Sequence, residues 1–207
     1  MTTFYCVRHG KTEFNLNRVF QGGVADSPLL PEGIENAKKV GIYLADVPFD
    51  AVFVSPQKRA QDTAKNILTY LSGDLEINTV NDLREMEFGI WDGNPESDYH
   101  HLEEFQNLVH KPHLYDPTIC GGETFEELII RGKEVINDIT RKYPDGRILI
   151  VSHGLTLQSL LKHLDGSTIE DIRSGRLLDN TSITVIKSIN ETGKYQIVDW
   201  NNTEHLS

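Results

Sequence analysis

The chain has 207 residues, 38% hydrophobic and 25% charged, with a formal net charge of −11 at pH 7. That length and balance suit one soluble domain, residues 1–207, with a substantial core. The acidic excess argues against nucleic acid or an anionic membrane as a partner. The longest apolar stretch free of Asp, Glu, Lys and Arg, Ile148 to Leu161, falls short of the roughly 20 residues that span a bilayer.

Phe4-Tyr5-Cys6-Val7 reads as a buried strand. No basic, apolar leader stands ahead of it, so the expected compartment is cytoplasmic, with Cys6 and Cys120 remaining thiols. Pro31 opens a helix whose apolar face is Ile34, Ala37, Gly41 and Leu44. Ala51–Val54 is a second buried strand, and Ser55-Pro56 predicts an N-cap and a first-turn proline. The following helix carries Ala60, Ala64, Ile67, Leu68 and Leu71 on one stripe. From about 91 to 122 the periodicity weakens, which suggests an insertion over the sheet with a short helix around Leu102–Val109. Glu123–Lys142 is a long amphipathic helix, Ile148–Ser152 a strand and Leu155–Leu164 a helix. Ser182–Lys187 and Tyr195–Trp200 read as antiparallel edge strands about a turn at Asn190–Gly193. The expected fold is α/β, a three-layer sandwich: a mostly parallel central sheet, helices on both faces, and a small helical or loop insertion covering the site.

Two apolar runs end alike, in Arg8-His9-Gly10 and Ser152-His153-Gly154. A parallel α/β sheet gathers ligands beyond the carboxyl ends of its strands, so the two imidazoles are expected to meet there beside Arg8. Arg59 lies in the opening turn of a helix, where a cation opposes the helix dipole by roughly 0.3–1 kcal/mol when exposed. A bound anion would reverse that penalty; a solvated surface arginine is the plainer reading of Arg59 alone. His153, between a buried strand and a helix start, is by the same logic either a capping histidine or the neighbour of an anion.

Val7-Arg8-His9-Gly10-Lys11-Thr12-Glu13-Phe14-Asn15 resembles the signature of the histidine phosphatase superfamily, which includes the cofactor-dependent phosphoglycerate mutases. Supporting blocks follow in that family's order: Phe20-Gln21-Gly22, Ser55 to Ala64, Leu83-Arg84-Glu85, Phe88 to Gly93, Gly122-Glu123-Thr124, and Ser152-His153-Gly154. The resemblance implies that His9 attacks phosphorus to form a phosphohistidine, a covalent step that divides a difficult displacement in two. It implies a phosphate clamp of Arg8, Arg59 and His153, helped by Asn15, Gly154 and backbone N–H groups at helix starts. Glu85 takes the position of the proton donor, although spacing alone does not separate it from Glu87. Gln21 and Gly22 map to a loop that closes on the phosphate. Lys11 departs from the usual acid after Arg-His-Gly, and Leu30-Pro31 from the usual Leu-Thr; neither touches the clamp.

The expected activity is hydrolysis of phosphate monoesters of a small phosphorylated metabolite, with neither metal nor cofactor. The alternative is a phosphoglycerate mutase primed by 2,3-bisphosphoglycerate. That reaction needs extra cations, and between Trp91 and Gly122 the only Lys or Arg is Lys111. Phe105, Leu108, Leu114 and Tyr115 are expected to line the cover instead. A metal-dependent hydrolase is the rival suggested by His100, His101, His110 and His113, whose spacing forms no closed ligand set. Neither Ser55 nor Ser152 lies in Gly-x-Ser-x-Gly, which disfavours a serine hydrolase. A non-catalytic phosphate sensor would be expected to have lost one of Arg8, His9, Arg59, Glu85 or His153, and all five are present.

Overall fold

The computed structural model describes residues 1–189 and 193–207. Its strands are β1 (Thr3–Arg8), β2 (Ala51–Val54), β3 (Ile77–Thr79), β4 (Arg147–Ser152), β5 (Ile183–Ile189) and β6 (Lys194–Asn202). They form one sheet in the order β3-β2-β4-β1-β5-β6. The pairs β1 with β4, β4 with β2, and β2 with β3 are parallel, whereas β5 and β6 add antiparallel at one edge. The expected turn at Asn190–Gly193 lies largely outside the described residues.

The pleat sends successive side chains to opposite faces, and both faces are apolar here. Phe4, Cys6, Ile148, Ile150 and Phe53 pack beneath α5 (Phe125–Lys142) and α6 (Gly154–Leu164) through Ile136, Ile139, Leu157 and Leu160. Val7, Leu149, Val151, Val52 and Val54 meet α2 (Pro31–Tyr43) and α3 (Lys58–Leu68) through Ala37, Val40, Ala60, Ala64 and Ile67. A strand covered on both sides has no reason to alternate apolar and polar residues, which is why β1, β2 and β4 read as continuous apolar runs. Their parallel order puts all three carboxyl ends along one rim.

The region from 91 to 122 holds short 3-10 turns and one helix, α4 (Glu103–His110). Phe105 and Leu108 of α4 join Phe20, Phe88 and Trp91 in an apolar cluster with Leu128 and Leu155. This fastens the cover to α5 and α6. Both cysteines are free and buried, and burial pushes the Cys6 thiol pKa up. Among the described residues no helix is long and apolar enough to cross a membrane.

Three local expectations change. Helix α3 starts at Lys58, with Gln57 as its cap residue and no side-chain cap. Ser55 does not cap it because its hydroxyl is bound elsewhere, as described below. Helix α5 starts at Phe125 rather than Glu123, because Thr124 and Glu127 form a capping box there. Strand β3 is absent from the sequence reading: it has three residues, half-buried or exposed, and carries no apolar run.

Candidate active site

The register of β1 against β4 sets Arg8 opposite Ser152. One residue further on, the His9 backbone N–H donates to the Ser152 carbonyl over 2.9 Å. The chains therefore leave the sheet rim together, and the His9 and His153 rings come within 5.2 Å, centroid to centroid. Hydrogen-bond registry across one parallel pair thus unites two residues separated by most of the chain.

His9 is buried. Its Nδ1 lies 2.8 Å from the Gly10 carbonyl oxygen, and a carbonyl only accepts, so Nδ1 carries the proton and Nε2 keeps a lone pair. Burial first, then the positive charges of Arg59 and Arg8, hold its pKa well below the usual histidine value. Burial and the two arginines thus favour the neutral ring, with its lone pair on Nε2.

Arg59 is fully buried, which removes the reading of a surface arginine. All five of its N–H donors are engaged: Nε with His153 Nδ1 at 3.2 Å, one terminal nitrogen with the Ala25 carbonyl and the Asp26 carboxylate, the other with the Gln21 and Gly22 carbonyls. Since Arg59 Nε–H donates to His153 Nδ1, the proton of His153 resides on Nε2, which donates to Ser55 Oγ at 2.6 Å. The Ser55 hydroxyl then donates to Gln57 Oε1. Burial and the Arg59 charge hold the His153 pKa far below its usual value. His153 is therefore a neutral, fixed ring and not an imidazolium at a helix start.

Glu85 is buried, and its carboxylate accepts from the backbone N–H groups of Met86, Leu155 and Thr156 and from the Thr156 hydroxyl, at 2.8–3.1 Å. Two of those amides open α6. The acceptor that meets that helix start in this structure is thus the Glu85 carboxyl group itself, which satisfies N–H groups that the first turn leaves free. Glu87 turns outward to Arg84 with its side chain 45% exposed. This separates the two acids that spacing leaves equivalent.

Arg8 packs closely against Gly154, where an added Cβ would stand 3.1 Å from its Nε. One terminal nitrogen donates to the Leu178 carbonyl, while the buried Nε has no hydrogen-bond partner. Asn15 Oδ1 accepts from the Thr12 backbone and from Asn180, which leaves its Nδ2–H2 group as the free donor. Gln21 is tied to Thr12 at 3.2 Å and accepts from Ser27 at 2.6 Å.

These groups border a cavity of about 370 Å³ lined by Arg8, His9, Asn15, Gln21, Glu85 and Gly154, together with Phe20, Phe105 and Leu108. Arg59, His153 and Gly22 are not among the lining residues; they back the wall. At Gly22 a Cβ would stand 2.5 Å from the Met86 carbonyl oxygen, and its N–H is held by Asp92 at 2.6 Å. The loop from Gln21 to Asp26 is therefore pinned by Arg59 and Asp92. Of the apolar residues expected to line the cover, Leu114 is exposed and Tyr115 packs edge-on against Phe125. Lys11 pairs with Glu32 on the outer surface. Among the described residues no three His, Cys, Asp or Glu side chains converge on one point.

Sequence reasoning misses several contributors. Arg18, Glu96, His100 and Arg173 also line the cavity, and they sit in segments without periodicity. Asp92 accepts from three loop amides, those of Gly22, Val24 and Ala25. Glu123 and Arg131 form a buried two-point pair. Arg131 also donates to the carbonyls of Asp82, Arg84 and Glu85, and so fixes the segment that presents Glu85.

The neutral histidines set an expected pH response. An unfolded histidine takes a proton near pH 6.5, whereas buried His9 and His153 resist it. The unfolded state then binds more protons, so stability is fully present above about pH 6.5 and is lost as pH falls below it. The melting temperature should drop between pH 7 and pH 5, less steeply in His153→Asn; an equal slope would remove this assignment.

A model of the histidine phosphatase superfamily (branch 1) matches residues 4–203. The chain belongs to this family. It is 35% identical over 207 residues to the uncharacterized phosphatase PhoE of Bacillus subtilis, covering 100% of this chain and 98% of the relative. It is 33% identical over 174 residues to the 2,3-bisphosphoglycerate-dependent phosphoglycerate mutase of Cytophaga hutchinsonii, covering 83% and 81%. Among solved structures, YhfR of Bacillus stearothermophilus superimposes with a TM-score of 0.92 at 28% identity, covering 100% of both chains. The family thus includes both phosphatases and mutases, and the site has the acids, bases and cations of a phosphoryl-transfer enzyme.

Proposed function

We propose that this protein is a phosphomonoesterase of the histidine acid phosphatase type, hydrolysing a small phosphorylated metabolite through a phosphohistidine on His9 Nε2. The observation that carries this is the His9 tautomer: Nδ1–H is fixed on the Gly10 carbonyl, so the lone pair is on Nε2 of a residue lining a cavity shared with Glu85. The phosphate binds to Arg8 Nε–H and the Asn15 amide, and the charge of Arg59 acts from the wall behind. The bond from Nε2 to phosphorus forms as the ester P–O bond breaks, and Glu85, which enters the cycle in its protonated form, gives that proton to the leaving alkoxide. Water then attacks the phosphohistidine, Glu85 takes a proton back, and inorganic phosphate leaves.

Neither a metal nor a cofactor enters this cycle, and the proposed compartment is cytoplasmic. Mutation of phosphoglycerate primed by 2,3-bisphosphoglycerate is the second reading. It is favoured by two arginines outside the cover, Arg18 and Arg173, that line the cavity. The reactions separate when 3-phosphoglycerate is followed for phosphate release and for isomerisation, with and without the bisphosphate. Primer-independent phosphate release is expected, together with a phosphoprotein stable in alkali and lost in acid. Primer-dependent isomerisation far exceeding release would replace the phosphatase reading with the mutase one.

A further inference from the structure

Arg173 stands apart from the other cations of the site. It lies in the irregular segment between α6 and β5 and lines the cavity. Its Nε and one terminal nitrogen are buried with no hydrogen-bond partner. Leaving guanidinium donors dry and unpaired is unfavourable, so a group this placed calls for an acceptor.

The segment holds Arg173 firmly. Ile172 beneath it is fully buried in the apolar cluster, and its carbonyl accepts from Gln158 Nε2 at 3.2 Å. Gln158 Oε1 in turn accepts from the Leu178 N–H, and Lys162 bonds Ser174 on the other side. The charges that bear most on Arg173 are Glu85 and Glu96, which support its cationic form, and Arg8, which opposes it. Burial lowers its pKa to about 10, and it stays charged at neutral pH. It lines the same cavity as Glu85 and Glu96, and its two buried nitrogens bond neither acid.

We propose that Arg173 is a specificity residue that receives a carboxylate carried on the alcohol portion of the phosphate ester. This rests on the hydrolytic reading of His9 and Glu85 given above and narrows its substrates to phosphorylated hydroxy acids. Arg8 already serves the phosphate, and Arg173 supplies the second positive centre that a dianionic phosphate bearing a separate carboxylate requires. Phe20, Phe105 and Leu108 enclose the carbon skeleton between them.

The test compares phosphoserine with phosphoethanolamine, which differ only by the carboxylate, using p-nitrophenyl phosphate as a third substrate. Wild-type kcat/KM should favour phosphoserine by roughly 10- to 100-fold. In R173M that ratio should fall toward one, chiefly through the KM for phosphoserine, and R173K should restore part of it. A wild type without preference for phosphoserine overturns the proposal whether or not any variant folds. So does a loss in R173M that is equal for all three esters, since Arg173 would then act on the transferred phosphate. Absence of His9-dependent turnover of any ester would instead overturn the hydrolytic reading, which keeps the two failures apart.

Discussion

Replacement of His9 by alanine should lower kcat by a factor on the order of 10⁵–10⁶, the range seen when a covalent nucleophile is removed from an enzyme. The size follows from the lack of a substitute. His153, 5.2 Å away, has Nε2–H bound to Ser55 and Nδ1 occupied by the Arg59 N–H. Neither nitrogen offers a lone pair to phosphorus. Only Nε2 of His9 does, because its other nitrogen is spent on Gly10. Single-turnover kinetics with p-nitrophenyl phosphate and alkali-quench labelling measure both halves of this, with the melting temperature as the check on folding. Retention of a tenth of wild-type kcat by H9A, or an alkali-stable label still present in it, would place the nucleophile elsewhere.

The second large effect is expected far from the phosphate. Glu123→Ala should destabilise the fold by about 3–5 kcal/mol, because it strands a buried guanidinium. Arg131 and Glu123 are 8% and 7% exposed and meet through two N–H···O bonds at 2.6 and 2.8 Å. The same guanidinium bonds the carbonyls of Asp82 and Arg84 at 2.7 and 3.0 Å. The loss should therefore appear in catalysis as well as in stability, as Glu85 loses its fixed approach to the start of α6. Exchanging both partners for apolar side chains, E123L with R131M, should regain most of the stability, since replacing a whole buried pair is often neutral. It should not regain kcat, because R131M removes the guanidinium that bonds the carbonyls of Asp82, Arg84 and Glu85. Urea unfolding midpoints and kcat for the three proteins decide the matter. A double variant that recovers both would show that Arg131 is structural only.

Much of the site was legible because its chemistry sits at strand ends. Arg8, His9, Ser152 and His153 each follow an apolar run, and parallel strands present such ends on one rim. The three-layer sandwich was legible for the same reason: β1, β2 and β4 are built on the unbroken apolar runs Phe4–Val7, Ala51–Val54 and Ile148–Val151, and α2, α3, α5 and α6 show helical stripes. Ser55 misled because the pattern Ser-Pro before a helix describes a cap equally well, and only the folded chain shows its hydroxyl serving His153 and Gln57. The cations that reach the cavity were hidden in a similar way. Lys111 is the one Lys or Arg from Trp91 to Gly122, yet Arg18 and Arg173 reach the cavity from elsewhere.

By itself the sequence determined the long, strongly periodic elements, the family, and which residue types stand at the carboxyl ends of the apolar strands. These depend on local periodicity and on short contiguous motifs, which need no knowledge of distant contacts. The tertiary structure alone decided the protonation pattern of the two histidines, the choice of Glu85 over Glu87, the withdrawal of Arg59 into the wall, and the presence of Arg173 in the cavity. Each of these depends on which donor meets which acceptor after burial. Hydrogen-bond pairing across most of the chain's length leaves no mark in the spacing of residues along it.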